Sequence, residues 1–187
     1  MEEDVSLIVG MTEENMKESL EHLQKELVRV RTGRASTAML DGVLVNYYGN
    51  PTPLKQVANV NTSDARTIEI KPWEKSMVGP IERAIFEANF GITPQNDGEL
   101  IRLIIPPLTE ERRRDLVKQV KGLGEDAKIS IRNARRDAMN DIRKEVKNGY
   151  PEDAGKRKED EIQDLTNTYT NKVDKMLEVK EQDIMTI

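Results

Sequence analysis

The sequence predicts an α+β fold: a long three-helix bundle with a small domain of strands and one helix inserted after the first helix. Three observations predict it. Apolar residues recur at steps of three and four over three long stretches, one before and two after a middle segment. That segment, Arg34 to Pro107, is rich in Gly, Pro and clustered β-branched residues. Charged residues make up 34% of the chain and aromatics only 4%, the profile of long polar helices with aliphatic seams.

The first helix is expected from Thr12, a capping residue followed by Glu13 and Glu14 at the positive helix end. Gly10 leaves an earlier start open. Met16, Leu20, Leu23, Leu27 and Val30 form its apolar face, and it ends near Arg31. His22 is the only histidine and reads as a surface residue. Val43 to Tyr48 reads as a strand closed by Gly49-Asn50-Pro51. Val57 to Asn61 and Arg66 to Lys71 read as two strands joined by Thr62-Ser63-Asp64-Ala65. Trp73 reads as a core or edge residue rather than a stacking platform. Ser76 to Asn89 is expected to be a helix with Pro80 in its first turn and Gly91 as its stop. Ile92 to Gln95 and Leu100 to Ile105 flank the turn Asn96-Asp97-Gly98.

Pro106-Pro107 ends the small domain, and Thr109 caps a helix running to Lys147. Leu116, Val120, Leu123, Ala127, Ile131, Ala134, Ala138 and Ile142 share one face of it. An 11-residue period runs through Leu116, Ala127, Ala138 and through Val120, Ile131, Ile142. That spacing is close to three natural turns, so little supercoil is expected. The last helix spans about Glu152 to Ile184, with Ile162, Leu165, Tyr169, Val173, Met176 and Ile184 on one face. Its period breaks at Lys180, whose stem is expected to lie on the seam while its charge stays in water. The short link near Gly149 makes these two helices antiparallel. The expected domains are residues 1–31 with 108–187, and 32–107. Thr32, Gly33, Arg34, Ile105, Pro106 and Pro107, at the two crossings, are the expected hinge.

Function is read from the outer faces of the central helix. At roughly 100° per residue, Arg114, Lys118, Lys121, Lys128, Arg135, Arg136, Arg143 and Lys147 fall within about 60° of Arg132. Glu125, Met139 and Val146 interrupt this lane, whereas Asp115, Asp126 and Asp137 lie elsewhere. The chain carries a net charge of −5, yet residues 109–147 hold twelve basic against eight acidic residues. Local field decides where an anion docks. The lane reads as a solvated face or as a polyanion-binding edge.

Several classes are not expected. The chain has no cysteine, so disulfides and thiolate metal sites are unavailable. No apolar run is long enough to span a bilayer, and the acidic start MEEDVSLIVG does not read as a signal peptide; a soluble cytoplasmic protein is the default. No Gly-rich phosphate loop, nucleophile–base pair or metal-ligand spacing stands out, so neither catalysis nor a cofactor is expected. A helical adaptor gripping proteins along apolar grooves, and an enzyme with an unrecognised site, remain as alternatives to an RNA-docking factor.

Four stretches carry a resemblance: Val30-Arg31-Thr32-Gly33-Arg34-Ala35, Tyr47-Tyr48-Gly49-Asn50-Pro51-Thr52-Pro53-Leu54, Pro106-Pro107-Leu108-Thr109-Glu110-Glu111-Arg112-Arg113, and Arg132-Asn133-Ala134-Arg135-Arg136-Asp137. In this order they resemble the ribosome recycling factors along nearly the whole chain. The resemblance implies an L-shaped, tRNA-like outline in which a small βαβ sandwich is set at an angle to the bundle. It implies a translation factor, not an enzyme, that acts with elongation factor G and GTP on the post-termination ribosome. The bundle would dock on large-subunit ribosomal RNA through Arg132, Arg135 and Arg136, with Arg31 added to the contacting set. A cytoplasmic monomer is expected, without DNA or membrane partners.

Overall fold

The computed structural model describes residues 1–186; Ile187, the last residue of the expected bundle, lies outside them. The chain divides into two compact units, one of Met1–Arg31 with Glu111–Thr186 and one of Thr32–Glu110. The second boundary falls three residues beyond the expected Pro107. The segment after Pro107 stays with the small unit: a Cβ built on Gly33 would lie 3.0 Å from Leu108 Cγ.

The large unit holds three helices, α1 (Glu2–Arg29), α3 (Glu110–Lys147) and α4 (Glu152–Met185). The helix between them in sequence, α2 (Val78–Glu87), belongs to the small unit. With 38 residues, α3 is roughly 57 Å long. Val5, Met16, Leu23 and Leu27 of α1 are buried, as are Ile131 and Ile142 of α3 and Ile162, Val173 and Ile184 of α4. On α3 the seam is shifted from expectation. Leu123 and Ala134 are only half-buried, while Gly124 and Met139 are buried. Two glycines let the helices approach closely. A Cβ on Gly124 would come within 2.2 Å of Leu177 Cδ1 of α4, and one on Gly155 within 2.5 Å of Val146 Cγ2 of α3.

The first helix starts ten residues before the expected cap. Thr12 lies inside it, 5% exposed, and its Oγ1 donates to the Ile8 carbonyl at 2.7 Å. A threonine bonded back to position i−4 is a helix-interior residue. Tertiary cover explains the early start: Val5, with Ile8 and Val9 beside it, packs among Ala138, Met139, Ile142, Tyr150 and Ile162. Tyr150 Oη donates to Glu2 Oε2 at 2.8 Å.

The small unit contains a two-stranded sheet, β1 (Leu44–Tyr47) and β2 (Asn50–Pro53), and a four-stranded antiparallel sheet. The latter has the order β3 (Ala58–Thr62), β4 (Thr67–Pro72), β6 (Ile101–Ile104), β5 (Gln95–Asn96). Period-two alternation places Ile68, Ile70, Ile101 and Leu103 in a core shared with Val45, Ile81 and Ile85. Two sequence expectations are corrected here. Asn50-Pro51 does not close the hairpin; it opens β2, and Tyr48-Gly49 makes the turn. A strand with two prolines is tolerated in a two-stranded ribbon because a free edge needs no ladder N–H. Ile92 to Gln95 is not a strand along its length; only Gln95–Asn96 is one. Trp73, expected in the core or at the edge, takes the edge: it is 60% exposed, and its backbone N–H donates to the Val57 carbonyl. Beside it, Glu74 accepts hydrogen bonds at 2.8 Å from the hydroxyls of Tyr47 and Tyr48. These two bonds, Tyr47's first, hold the Glu74 carboxyl below its usual range.

Candidate nucleic-acid interface

The basic lane lies on α3, and its cations are not equivalent. Arg114, Lys118, Lys121, Arg132, Arg136, Arg143 and Lys147 are exposed, whereas Lys128 and Arg135 are half-buried. The difference follows from which side of the lane meets α4. Lys128 Nζ is 2.5 Å from Asp174 Oδ1 of α4. Arg135 Nε donates to Gln163 Oε1 at 2.7 Å, and Arg143 Nε to Glu159 Oε1 at 2.8 Å. Partner numbers on α4 fall as those on α3 rise, as antiparallel helices require. Met139 and Val146, the apolar interruptions of the lane, face the same neighbour. Met139 is buried, and Val146 packs at Gly155.

Beside Arg135, the contacts of Arg132 and Arg136 are local to α3. Arg132 Nη1 donates to Glu125 Oε1 at 3.2 Å, and Arg136 Nη2 to Asn133 Oδ1 at 3.0 Å. Arg132 and Glu125 are both more than half exposed, so solvent screens the pair and it binds either partner weakly. An incoming phosphate can replace such a carboxylate. Arg136, held by a neutral amide, keeps its full charge.

The opposite flank of α3 has the other sign. A groove of about 720 Å³ between α1 and α3 is lined by Glu18, Glu26, Asp126 and Asp137, with His22 at its side. Ser19 of α1 and Ser130 of α3 meet across it at 2.8 Å. Positive and negative charge therefore occupy separate flanks of one helix.

The remaining expected site residues lie at the ends of the units. Arg31 is exposed and is the last residue of the large unit's first segment. Thr32 is half-buried, and Gly33 has φ +76°, a left-handed conformation that disfavours a side chain. Arg34 is exposed, and its N–H lies 3.4 Å from Thr32 Oγ1. Pro106 and Pro107 are exposed. Ile105 differs from them: it is buried in the small unit's core, and its N–H donates to the Arg66 carbonyl at 2.8 Å. The row of α4 partners was missed in sequence. Folding the chain back at Asn148–Gly149 would have found it, since that turn sets the antiparallel register.

A family model described as Ribosome recycling factor matches residues 23–185. The ribosome-recycling factor of Porphyromonas gingivalis is 52% identical over 185 residues, spanning 98% of this chain and 100% of that protein. The chain belongs to the ribosome recycling factor family. The ribosome-recycling factor of Flavobacterium johnsoniae is also 52% identical, over the full length of both chains. A solved structure described as the solution structure of the ribosome recycling factor is 37% identical, with a TM-score of 0.78 over 98% of each chain. Another is described as models for the T. thermophilus ribosome recycling factor and the E. coli elongation factor G bound to the E. coli post-termination complex. It is 40% identical, with a TM-score of 0.64 over 96% of this chain and 98% of that one. The α+β architecture of helical unit and small antiparallel unit is that of the family. Among the described residues, no helix is long and apolar enough to cross a membrane.

Proposed function

We propose that this recycling-factor chain binds the post-termination ribosome through the exposed row of α3 and, with elongation factor G and GTP, promotes separation of the subunits and release from messenger RNA. The contacting residues are Arg132, Arg135 and Arg136, extended along the helix by Arg114, Lys118, Lys121, Lys128 and Arg143, with Arg31 at the end of the first segment. Their partner is large-subunit ribosomal RNA. The chain carries no catalytic step in this reading; GTP hydrolysis belongs to the elongation factor. The protein acts as a cytoplasmic monomer. Thr32–Arg34 and Pro106–Pro107 are the pivots about which the small unit reorients.

One observation carries the docking reading: the Arg132-Asn133-Ala134-Arg135-Arg136 segment lies in the middle of a sign-sorted lane on a helix whose other flank is acidic. Binding to isolated large ribosomal subunits, titrated with salt, tests it. Affinity should fall steeply as salt rises, because each phosphate contact releases counterions. Arg132→Ala and Arg136→Ala should each weaken binding and lower the salt slope by roughly one unit, with melting nearly unchanged. Normal binding by both variants would make the lane a solvated face.

A further inference from the structure

The row of α4 side chains beside the lane is not uniform. Asp174 meets Lys128 and Glu159 meets Arg143, while the position between them, opposite Arg135, is Gln163. Carboxylates thus stand against Lys128 and Arg143, and a neutral amide against Arg135 between them. Both kinds of partner orient a cation. Only the carboxylate also cancels its charge, and a phosphate approaching Lys128 or Arg143 must compete with it. The Lys128 contact is the tighter constraint, since its side chain is only 21% exposed.

We infer that Asp174 and Glu159 are restraining residues that lower the affinity of Lys128 and Arg143 for RNA phosphate, and that Gln163 positions Arg135 while leaving its charge available. The inference rests on the docking reading above. It names residues on a second helix that set how strongly, and over what length, the lane holds RNA. Among the cations flanking this row, Arg135 and Arg136 meet neutral amides, while Arg132 shares an exposed, weak pair with Glu125. Non-specific attraction at Lys128 and Arg143 is reduced, which favours release and discrimination against other RNA.

The test measures salt-dependent binding of the full chain to isolated large ribosomal subunits and to a single-stranded homopolymer RNA. Asp174→Asn and Glu159→Gln keep shape and remove one negative charge each. Each should bind large subunits about 3–10-fold more tightly near 0.1 M salt, with a salt slope steeper by up to roughly one unit, the effect of one added phosphate contact. Homopolymer binding should rise at least as much, lowering discrimination. Gln163→Glu should do the reverse. Glu18→Gln, in the acidic groove, changes net charge equally and controls for the overall field; it should leave binding unchanged. Lys128→Met breaks the same ion pair as Asp174→Asn but should not tighten binding. The inference is overturned if Asp174→Asn and Lys128→Met move affinity in the same direction, because the pair would then be a packing staple. It is also overturned if Glu18→Gln tightens binding as much as Asp174→Asn does. Should Arg132→Ala and Arg136→Ala both leave binding intact, the docking reading itself fails and this inference falls with it.

Discussion

Gly122 and Gly124 stand two residues apart in α3 with opposite surroundings. Nothing lies within 4 Å of a Cβ built on Gly122, whereas one on Gly124 would overlap Leu177. Alanine is favoured over glycine in a helix interior by about 1 kcal/mol. Gly122→Ala should therefore raise the stability of the bundle by ~0.5–1 kcal/mol in urea unfolding. Gly124→Ala gains the same propensity but must displace Leu177, an overpacking that costs ~1–3 kcal/mol, so it should be the less stable of the two. Equal behaviour would mean that Leu177 moves aside freely. Lys180 gives a second residue-scale expectation. Its half-buried side chain borders a groove with Leu27, Val28, Met176 and Val179. Burial lowers its pKa, partly countered by Asp183. The folded state then binds fewer protons than the unfolded chain, so this group's penalty is full at neutral pH. It is relieved as pH rises from the folded pKa toward the unfolded value of 10.5. Lys180→Met should raise the melting temperature at pH 7 by about 1–3 °C, and the gain should shrink near pH 10. A gain independent of pH would assign the effect to packing alone.

At the scale of elements, the helices depend on one another for cover. Ile131 on α3 and Val173 on α4 are both fully buried. Ile131→Ala should destabilise the bundle by ~2–5 kcal/mol if the site cannot collapse, read from the helical signal during urea unfolding. A loss under about 0.5 kcal/mol is surface behaviour and would contradict the seam. The same dependence explains why α1 begins at Glu2. Its first turns lack strong capping chemistry, with no side-chain cap at Met1, but Val5, Ile8 and Val9 have a core to enter. Burial of a few aliphatic side chains outweighs the propensity cost of one interior glycine. β2 illustrates the converse: Pro51 and Pro53 argue against a central strand, and the strand exists because only one side of it pairs.

At the scale of the whole molecule, the chain passes between its two units twice, at Arg31–Thr32 and at Glu110–Glu111. If function requires the small unit to follow a moving partner, locking it should separate binding from activity. The chain contains no cysteine, so an introduced pair bridging the two units would form the only disulfide. The oxidised protein should still bind ribosomes through α3 and fail to support subunit separation, with reduction restoring activity. Separation at the normal rate in the locked form, whatever geometry the lock imposes, would remove reorientation from the mechanism and leave a fixed wedge.

What was legible in advance was local. Helical phasing of Val120, Ile131 and Ile142, the alternation of Ile68 and Ile70, and the break at Gly149-Tyr150-Pro151 all follow from backbone geometry and side-chain size. Neither changes with the rest of the fold. The same phasing sorted the basic residues of α3 from its aspartates. It could not rank them, because phasing describes one cylinder and not its neighbours. Only the antiparallel register against α4 decides that Lys128 and Arg143 meet carboxylates, that Arg135 meets an amide, and that Met139 is covered. Thr12 was misplaced for the same reason, and Trp73 was left open between core and edge. Thr12 has the chemistry of a cap, and Trp73 has area enough for a core and a polar N–H suited to an edge. Where each side chain rests was decided by the surfaces available to cover it, and those exist only once distant segments have packed.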